Sequence, residues 1–325
     1  MSADEMIPVS PIAASIYGFT EVSRSSIENY GKALLAISGA DGEVSPPEQQ
    51  WFQANFVETL MLPDDLAEMF DKYNYHGVNI KELVDGIQLE TAGDYRMMVI
   101  YDAIRMAKAD EKYAVEEREL ARTGATLFGI TEDQFRIMEG MVLLEEGNTN
   151  LRKALFRVYP GVTPELVPTE ANKLKHNAWV THHFGHTFTT HDSLEAYCQL
   201  LLAIAGADGA VAEAEMAWLE AVALAAGVPD DIRATFRSYD YANADIAALC
   251  EKFVVDTAMD LDIVTIYLAI QMSGADGTYA DEEKDAVRRA ASGLGVDQST
   301  VHNLEQLVLV ERHVEKLRKS LFGAI

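Results

Sequence analysis

The sequence is poor in several residue classes, and each shortage closes off a kind of protein. Only two cysteines occur in 325 residues, Cys198 and Cys250, both at apolar helical positions in the second half. They read as reduced core residues rather than a disulfide. Basic residues are scarce: 26 Lys and Arg stand against 52 Asp and Glu, a formal net charge of −26. A sequence pI near 4.6 excludes direct binding to nucleic acid or to an anionic membrane surface, since both repel an acidic face. No apolar run approaches the roughly 20 residues of a membrane span. The opening residues, Met-Ser-Ala-Asp-Glu-Met-Ile-Pro, have no basic region ahead of their apolar ones, so no targeting segment is expected and the chain should be cytoplasmic. Strand-like alternation is rare. A Walker phosphate loop, a zinc-protease His-Glu pattern, a nucleophile elbow and the Glu-x-x-His of di-iron bundles are all missing, so no enzyme is expected.

What the chain does have is helical periodicity and repetition. Apolar residues recur at helical spacing, as in Ile27, Tyr30, Leu34, Leu35 and Ile37. The pattern predicts helices near 24–39, 46–60, 64–73, 79–90, 94–108, 115–128, 132–145 and 148–156, with equivalents in the second half. An all-α fold of two tandem helical-bundle domains follows. Leu34-Leu-Ala-Ile-Ser-Gly-Ala-Asp-Gly42 matches Leu201-Leu-Ala-Ile-Ala-Gly-Ala-Asp-Gly209, Met61-Leu-Pro-Asp-Asp65 matches Gly227-Val-Pro-Asp-Asp231, and Leu151-Arg-Lys-Ala-Leu-Phe156 matches Leu317-Arg-Lys-Ser-Leu-Phe322. These matches mark an internal duplication. The expected division is a loosely held extension at 1–14, a first domain at 15–156, a Pro- and Gly-containing linker at 157–181, and a second domain at 182–325.

One phrase recurs four times, with Asp and Glu seven positions apart: Asp41 and Glu48, Asp110 and Glu117, Asp208 and Glu215, Asp276 and Glu283. A helix should end at each Asp and the next should begin three or four residues on. Gly42, Gly209 and Gly277 supply a residue tolerant of positive φ in three copies, and Glu111 stands there in the fourth. Val44, Tyr113, Val211 and Tyr279 would plug the corners into the core. Capping accounts for Glu48, behind Ser45 and Pro46. The other N-cap positions hold Ala114, Ala212 and Ala280, without an acceptor side chain, so capping is not expected to explain those Glu residues. Nor does turn chemistry alone explain an Asp at four helix C-termini, where the macrodipole disfavours negative charge. A bound cation would relieve both costs.

Calcium takes six to eight oxygen ligands, more than one corner supplies. Two corners brought together could do so: Asp41, Glu48, Asp110 and Glu117 in one site, and Asp208, Glu215, Asp276 and Glu283 in a second. Carboxylates without nearby Cys or His suit Ca2+ or Mg2+. A self-contained EF-hand is disfavoured, because its first two ligand positions would fall on Ile37 and Gly39, or on Ile204 and Gly206.

With these corners the chain resembles the tellurite-resistance TerB-like family, whose helical domains carry two such corners after an apolar helix ending in Ala-Asp-Gly. The resemblance covers nearly all of 20–156 and 187–322. It implies an all-helical fold, a divalent-cation site at the paired corners, and a role in cytoplasmic stress-response or signalling assemblies, sometimes beside a membrane-protein partner. Glu111 departs from the pattern, which makes the second site, with Gly in both corners, the stronger expectation.

Other features carry less. Five histidines, His176, His182, His183, His186 and His191, gather near the start of the second half. A metal would need a helix there, and Gly185 and its Thr neighbours argue for a surface or packing role. Tyr73, Tyr75, Tyr239 and Tyr241, after Phe70 and Phe236, read as core more readily than as a pocket for an apolar ligand. The main alternative to a cation module is a metal-independent acidic scaffold for basic protein partners. An interhelical carrier of an apolar ligand is the other.

Overall fold

The computed structural model describes residues 5–91, 93–156, 173–175, 177–252, 255–257 and 261–323. Among these, sixteen α-helices dominate, and the strands are three to five residues long. Their contacts divide the chain into two compact units: Met1–Glu146 with His313–Ile325, and Gly147–Arg312.

The first unit is built around two packed helices, Arg24–Ser38 and Tyr95–Ala107. The second of these is buried on nearly every side, from Met97 to Ala107 with Arg105 the half-buried exception, as a helix enclosed by its neighbours must be. In the second unit His191–Ala205 and Leu261–Ser273 play the same parts. Each core helix ends at an acidic corner. The helices leaving the corners are Pro46–Phe52 and Val115–Leu127 in the first unit, and Glu213–Ala225 and Asp281–Gly293 in the second.

Four expectations are corrected. Residues 1–14 were expected to be loosely held. Instead strand Met6–Pro8 pairs antiparallel with Glu21–Ser23, Ile7 and Ala13 are buried, and Ser10 caps helix Pro11–Tyr17 through Ala13 N at 3.0 Å. The second half repeats this start. Lys173–Lys175 pairs with His186–Thr190, and Asn177, 167 residues beyond Ser10, caps Ala178–Phe184 through Val180 N at 3.0 Å. The duplication therefore begins earlier than sequence identity suggests. Most of the expected linker lies outside the described residues.

The helices expected at 132–145 and 148–156 are one, Glu132–Leu155, matched by Gln298–Leu321. The ends of these long helices do not stay with their own halves. Phe156 lies in the second unit, against Tyr267 at 5.1 Å between ring centroids, and Arg152 pairs with Glu311 at 3.4 Å. Phe322 lies in the first unit, against Tyr101 at 5.3 Å, and Arg318 pairs with Glu145 at 3.2 Å. Each of these four residues from the first half has its counterpart 166 positions on, so the units have exchanged equivalent segments. That is why the boundaries expected at 156 and 182 differ from the observed division.

The helix expected at 46–60 changes character midway. Gln53–Glu58 is π-helical, whereas the second unit runs as regular α-helix from Glu213 to Ala225. Between these segments the offset between the halves drops from 167 to 166. A one-residue insertion taken up inside a helix gives this geometry.

Candidate functional site: paired acidic corners

The four corners share one backbone turn. The amide at the residue after each Asp donates back three positions: Gly42 to Gly39 at 3.2 Å, and Glu111 to Lys108, Gly209 to Gly206 and Gly277 to Gly274 at 3.1 Å each. Those donors have φ of 122°, 65°, 116° and 95° respectively. Glu111 thus adopts the left-handed conformation its three Gly counterparts adopt. The corner keeps its shape, and the left-handed strain is borne by a non-glycine residue.

Each Asp Oδ1 accepts a hydrogen bond from the amide two residues on: Glu43 N at 3.3 Å, Lys112 N at 2.9 Å, Ala210 N at 3.2 Å and Thr278 N at 2.7 Å. Each Glu Oε2 accepts from the N-cap amide of its own helix: Ser45 N at 2.6 Å, and Ala114, Ala212 and Ala280 N at 2.7 Å. The expectation that capping explains only Glu48 is therefore wrong. The Glu half of a capping box needs the N-cap backbone N–H and is indifferent to the N-cap side chain, so Ala serves as well as Ser.

Capping accounts for one oxygen of each Glu and not for what the other meets. All four Glu are buried, at 2–3% exposure. Glu48 and Glu117 turn towards one another within hydrogen-bonding reach, and so do Glu215 and Glu283. The Asp charges act across the pair: Asp110 bears on Glu48, Asp41 on Glu117, Asp276 on Glu215, and Asp208 with Asp276 on Glu283. Within each unit the two Glu carboxyls thus face one another, with the Asp charges reaching them from the rims of the corners. Burial, above all, raises the pKa of each Glu; the facing carboxyl and the crossed Asp charges add to it at Glu117 and Glu215, each pushed up to about 8. Glu48 Oε1 is buried, and the facing Glu117 carboxyl is within hydrogen-bonding reach of the Glu48 carboxylate. Asp41, Glu48, Asp110 and Glu117 line a cavity of about 530 Å3, together with Glu43 and Lys112. Among the described residues, no three His, Cys, Asp or Glu side chains stand close enough to hold a metal ion as placed.

Residues that periodicity assigned to the core turn out to position the corners. The Tyr75 hydroxyl accepts from Val44 N at 3.1 Å, and Tyr241 accepts from Val211 N at 3.4 Å. Each ring packs hard against a glycine: a Cβ at Gly39 or Gly206 would come within 2.3 Å of it. The signal was present in the sequence as matched Gly and Tyr pairs, but nothing local linked them. The second corners are steadied differently. Arg118 makes a two-pronged ion pair with Glu139 at 2.7 and 2.8 Å, and the Tyr279 hydroxyl donates to Glu305 at 3.4 Å.

Of the histidines, His182 and His183 close a helix that Gly185 ends in the left-handed region, and His191 Nε2 lies 2.9 Å from Asp231. His176 lies outside the described residues. Both cysteines are buried and free.

The family model of the tellurite resistance protein TerB matches residues 31–139 and again 194–306, more than half of the chain and spanning all four corners. The chain belongs to the TerB family. It carries two tandem copies of the domain, which places it among tellurite-resistance-related modules. No curated protein and no solved structure matches it. Among the described residues no helix is long and apolar enough to cross a membrane.

Proposed function

We propose that this TerB chain is a divalent-cation-binding module of a stress-response or signalling assembly, with one cation, Ca2+ or Mg2+, at each pair of corners. The observation that carries the reading is the pair of buried, facing glutamates, Glu48 with Glu117 and Glu215 with Glu283. Two carboxylates buried face to face disfavour full ionisation unless a cation or a shared proton sits between them. A cation between the two carboxyls would take the place of the proton that Glu117 otherwise shares with Glu48.

Glu48, Glu117 and their Asp41 and Asp110 partners would hold the ion in the first unit, and Glu215, Glu283, Asp208 and Asp276 in the second. Oxygen donors of this kind suit a hard cation. Its double positive charge would offset the burial of the glutamates and stabilise the folded unit by mass action. Because each pair retains protons near neutrality, binding must displace them and should strengthen as pH rises.

Glu→Gln substitution separates this role from capping. Glutamine still offers an oxygen to the N-cap amide but neutralises the pair. Thermal melting of Glu215→Gln/Glu283→Gln should show folded protein whose second unit no longer gains stability from calcium or magnesium. Equal cation stabilisation in wild type and variant would overturn the proposal.

A further inference from the structure

The two units differ most in how the space beside the first core helix is filled. In the first unit Phe52, Phe56 and Phe70 stack edge and face on one another and Phe56 meets Tyr30, with centroids 5.1–6.0 Å apart, and all four rings are buried. In the second unit Tyr197 and Phe236 retain the places of Tyr30 and Phe70. Leu219 stands for Phe52, and the helix from 219 to 226 reads Leu-Glu-Ala-Val-Ala-Leu-Ala-Ala, without a ring. The polar contacts are lost as well. Asp102, which accepts hydrogen bonds from Tyr17 and Tyr30 in the first unit at 2.8 and 2.9 Å, is replaced by Leu268, and Tyr17 by Phe184.

The result is a cavity of about 70 Å3, lined by residues of the second unit that include Trp179, Phe184, Cys198, Leu219, Ala223 and Leu268. Its lining carries no charged side chain. The Tyr197 hydroxyl is hydrogen-bonded to Thr265, and burial pushes the Cys198 thiol up to about 12, so it stays neutral. Leu194, Val222, Ala226 and Leu261 on the lining are only half-buried and form an apolar path to the surface. An unfilled void forfeits the dispersion contacts of its lining, and the Thr189, Ser193 and Tyr197 hydroxyls of that lining expose almost no polar surface to hold a water.

We propose that this cavity binds the end of an unbranched alkyl chain. The volume is about half of the roughly 150 Å3 that accepts a benzene ring, which favours a narrow chain end over a ring. The absence of charge from the lining leaves any polar head at the mouth, in water. The site is independent of the acidic corners, and none of their carboxylates lines it.

The test is a titration of the full chain with dodecanoate and, separately, with 1-dodecanol below their aggregation limits, read by calorimetry and by tryptophan fluorescence, with Trp179 as the reporter in the wall. Ala223→Phe supplies the ring that the first unit has. Ala223→Leu is the milder filling variant if the larger one does not fold. The expected result is one chain bound per protein, with affinity at least tenfold weaker in a filled variant whose melting temperature is unchanged or raised. Binding of both amphiphiles locates recognition in the chain, and binding of dodecanoate alone adds a contribution from the carboxylate head. Failure of both to bind, or equal binding by wild type and folded filled variants, would overturn the proposal.

Discussion

The two units are copies of one domain that have met the same requirements in opposite ways. At two left-handed positions the first unit uses Met61 (φ 58°) and Glu111 (φ 65°), where the second has Gly227 (φ 69°) and Gly277 (φ 95°). In the core the first is filled by Phe52 and Phe56, where the second has Leu219 and a cavity. The first unit thus tolerates backbone strain within a dense aromatic core, and the second has a relaxed backbone and a looser one. Against that divergence the facing glutamates, the Asp turns and the Tyr-on-Gly contact are the same in both. What is kept while strain and packing drift apart is the geometry of the acidic corners.

The largest effect should come from pH, because it acts on both units. The glutamate pairs have folded pKa values raised above the ordinary 4.5, with Glu117 and Glu215 at about 8. Between those values the folded state holds more protons than the unfolded chain. Their contribution to stability is therefore fully present below about pH 4.5 and is lost as pH rises through about 8. Denaturant melts of the cation-free protein should show stability falling from pH 6 to pH 9, and Glu→Gln at both pairs should flatten the fall. A flat wild-type profile would contradict the pairing.

Next in size is Phe56→Ala, which empties the ring cluster of the first unit and should cost about 3–5 kcal/mol. Scanning calorimetry should show the first unit melting earlier while the second is unmoved. Loss of stability in both would break the comparison. Gly39→Ala and Gly206→Ala push a methyl group into Tyr75 and Tyr241, and each should cost about 1–3 kcal/mol. They should also loosen the first corner of the unit they touch, seen as faster amide exchange at Val44 or Val211. Glu111→Gly has the smallest effect and the opposite sign. It should raise the stability of the first unit by about 1 kcal/mol by removing left-handed strain, whereas Gly277→Glu should lower the second by a similar amount.

Much of this was legible in the chain. Helical period and repeat spacing carry the all-α tandem fold, and the recurring Asp and Glu lead to the corners where the glutamate pairs face one another. What the sequence hid is long-range. Ala114, Ala212 and Ala280 obscured the capping, because a backbone amide leaves no mark in a side-chain pattern. The exchange of residues 147–156 and 313–323 is invisible because Arg152 and Arg318, like Phe156 and Phe322, are equivalent, so either segment suits either unit by local pattern. The pairing of Met6–Pro8 with Glu21–Ser23 and of Lys173–Lys175 with His186–Thr190 was lost in segments too brief for a period of two to register. Tyr75 and Tyr241 read as core because periodicity reports burial and is silent about a hydroxyl at the edge.

The central claim is that the buried glutamate pairs exist for a cation and not only for capping. Calorimetric titration of the full chain with calcium at pH 8 tests it most directly, beside Glu48→Gln/Glu117→Gln and Glu215→Gln/Glu283→Gln. The account predicts two calcium ions per wild-type chain and one in each variant, with both variants folded because glutamine keeps the N-cap hydrogen bond. No binding heat in the wild type, or two ions still bound after either pair is neutralised, would contradict it.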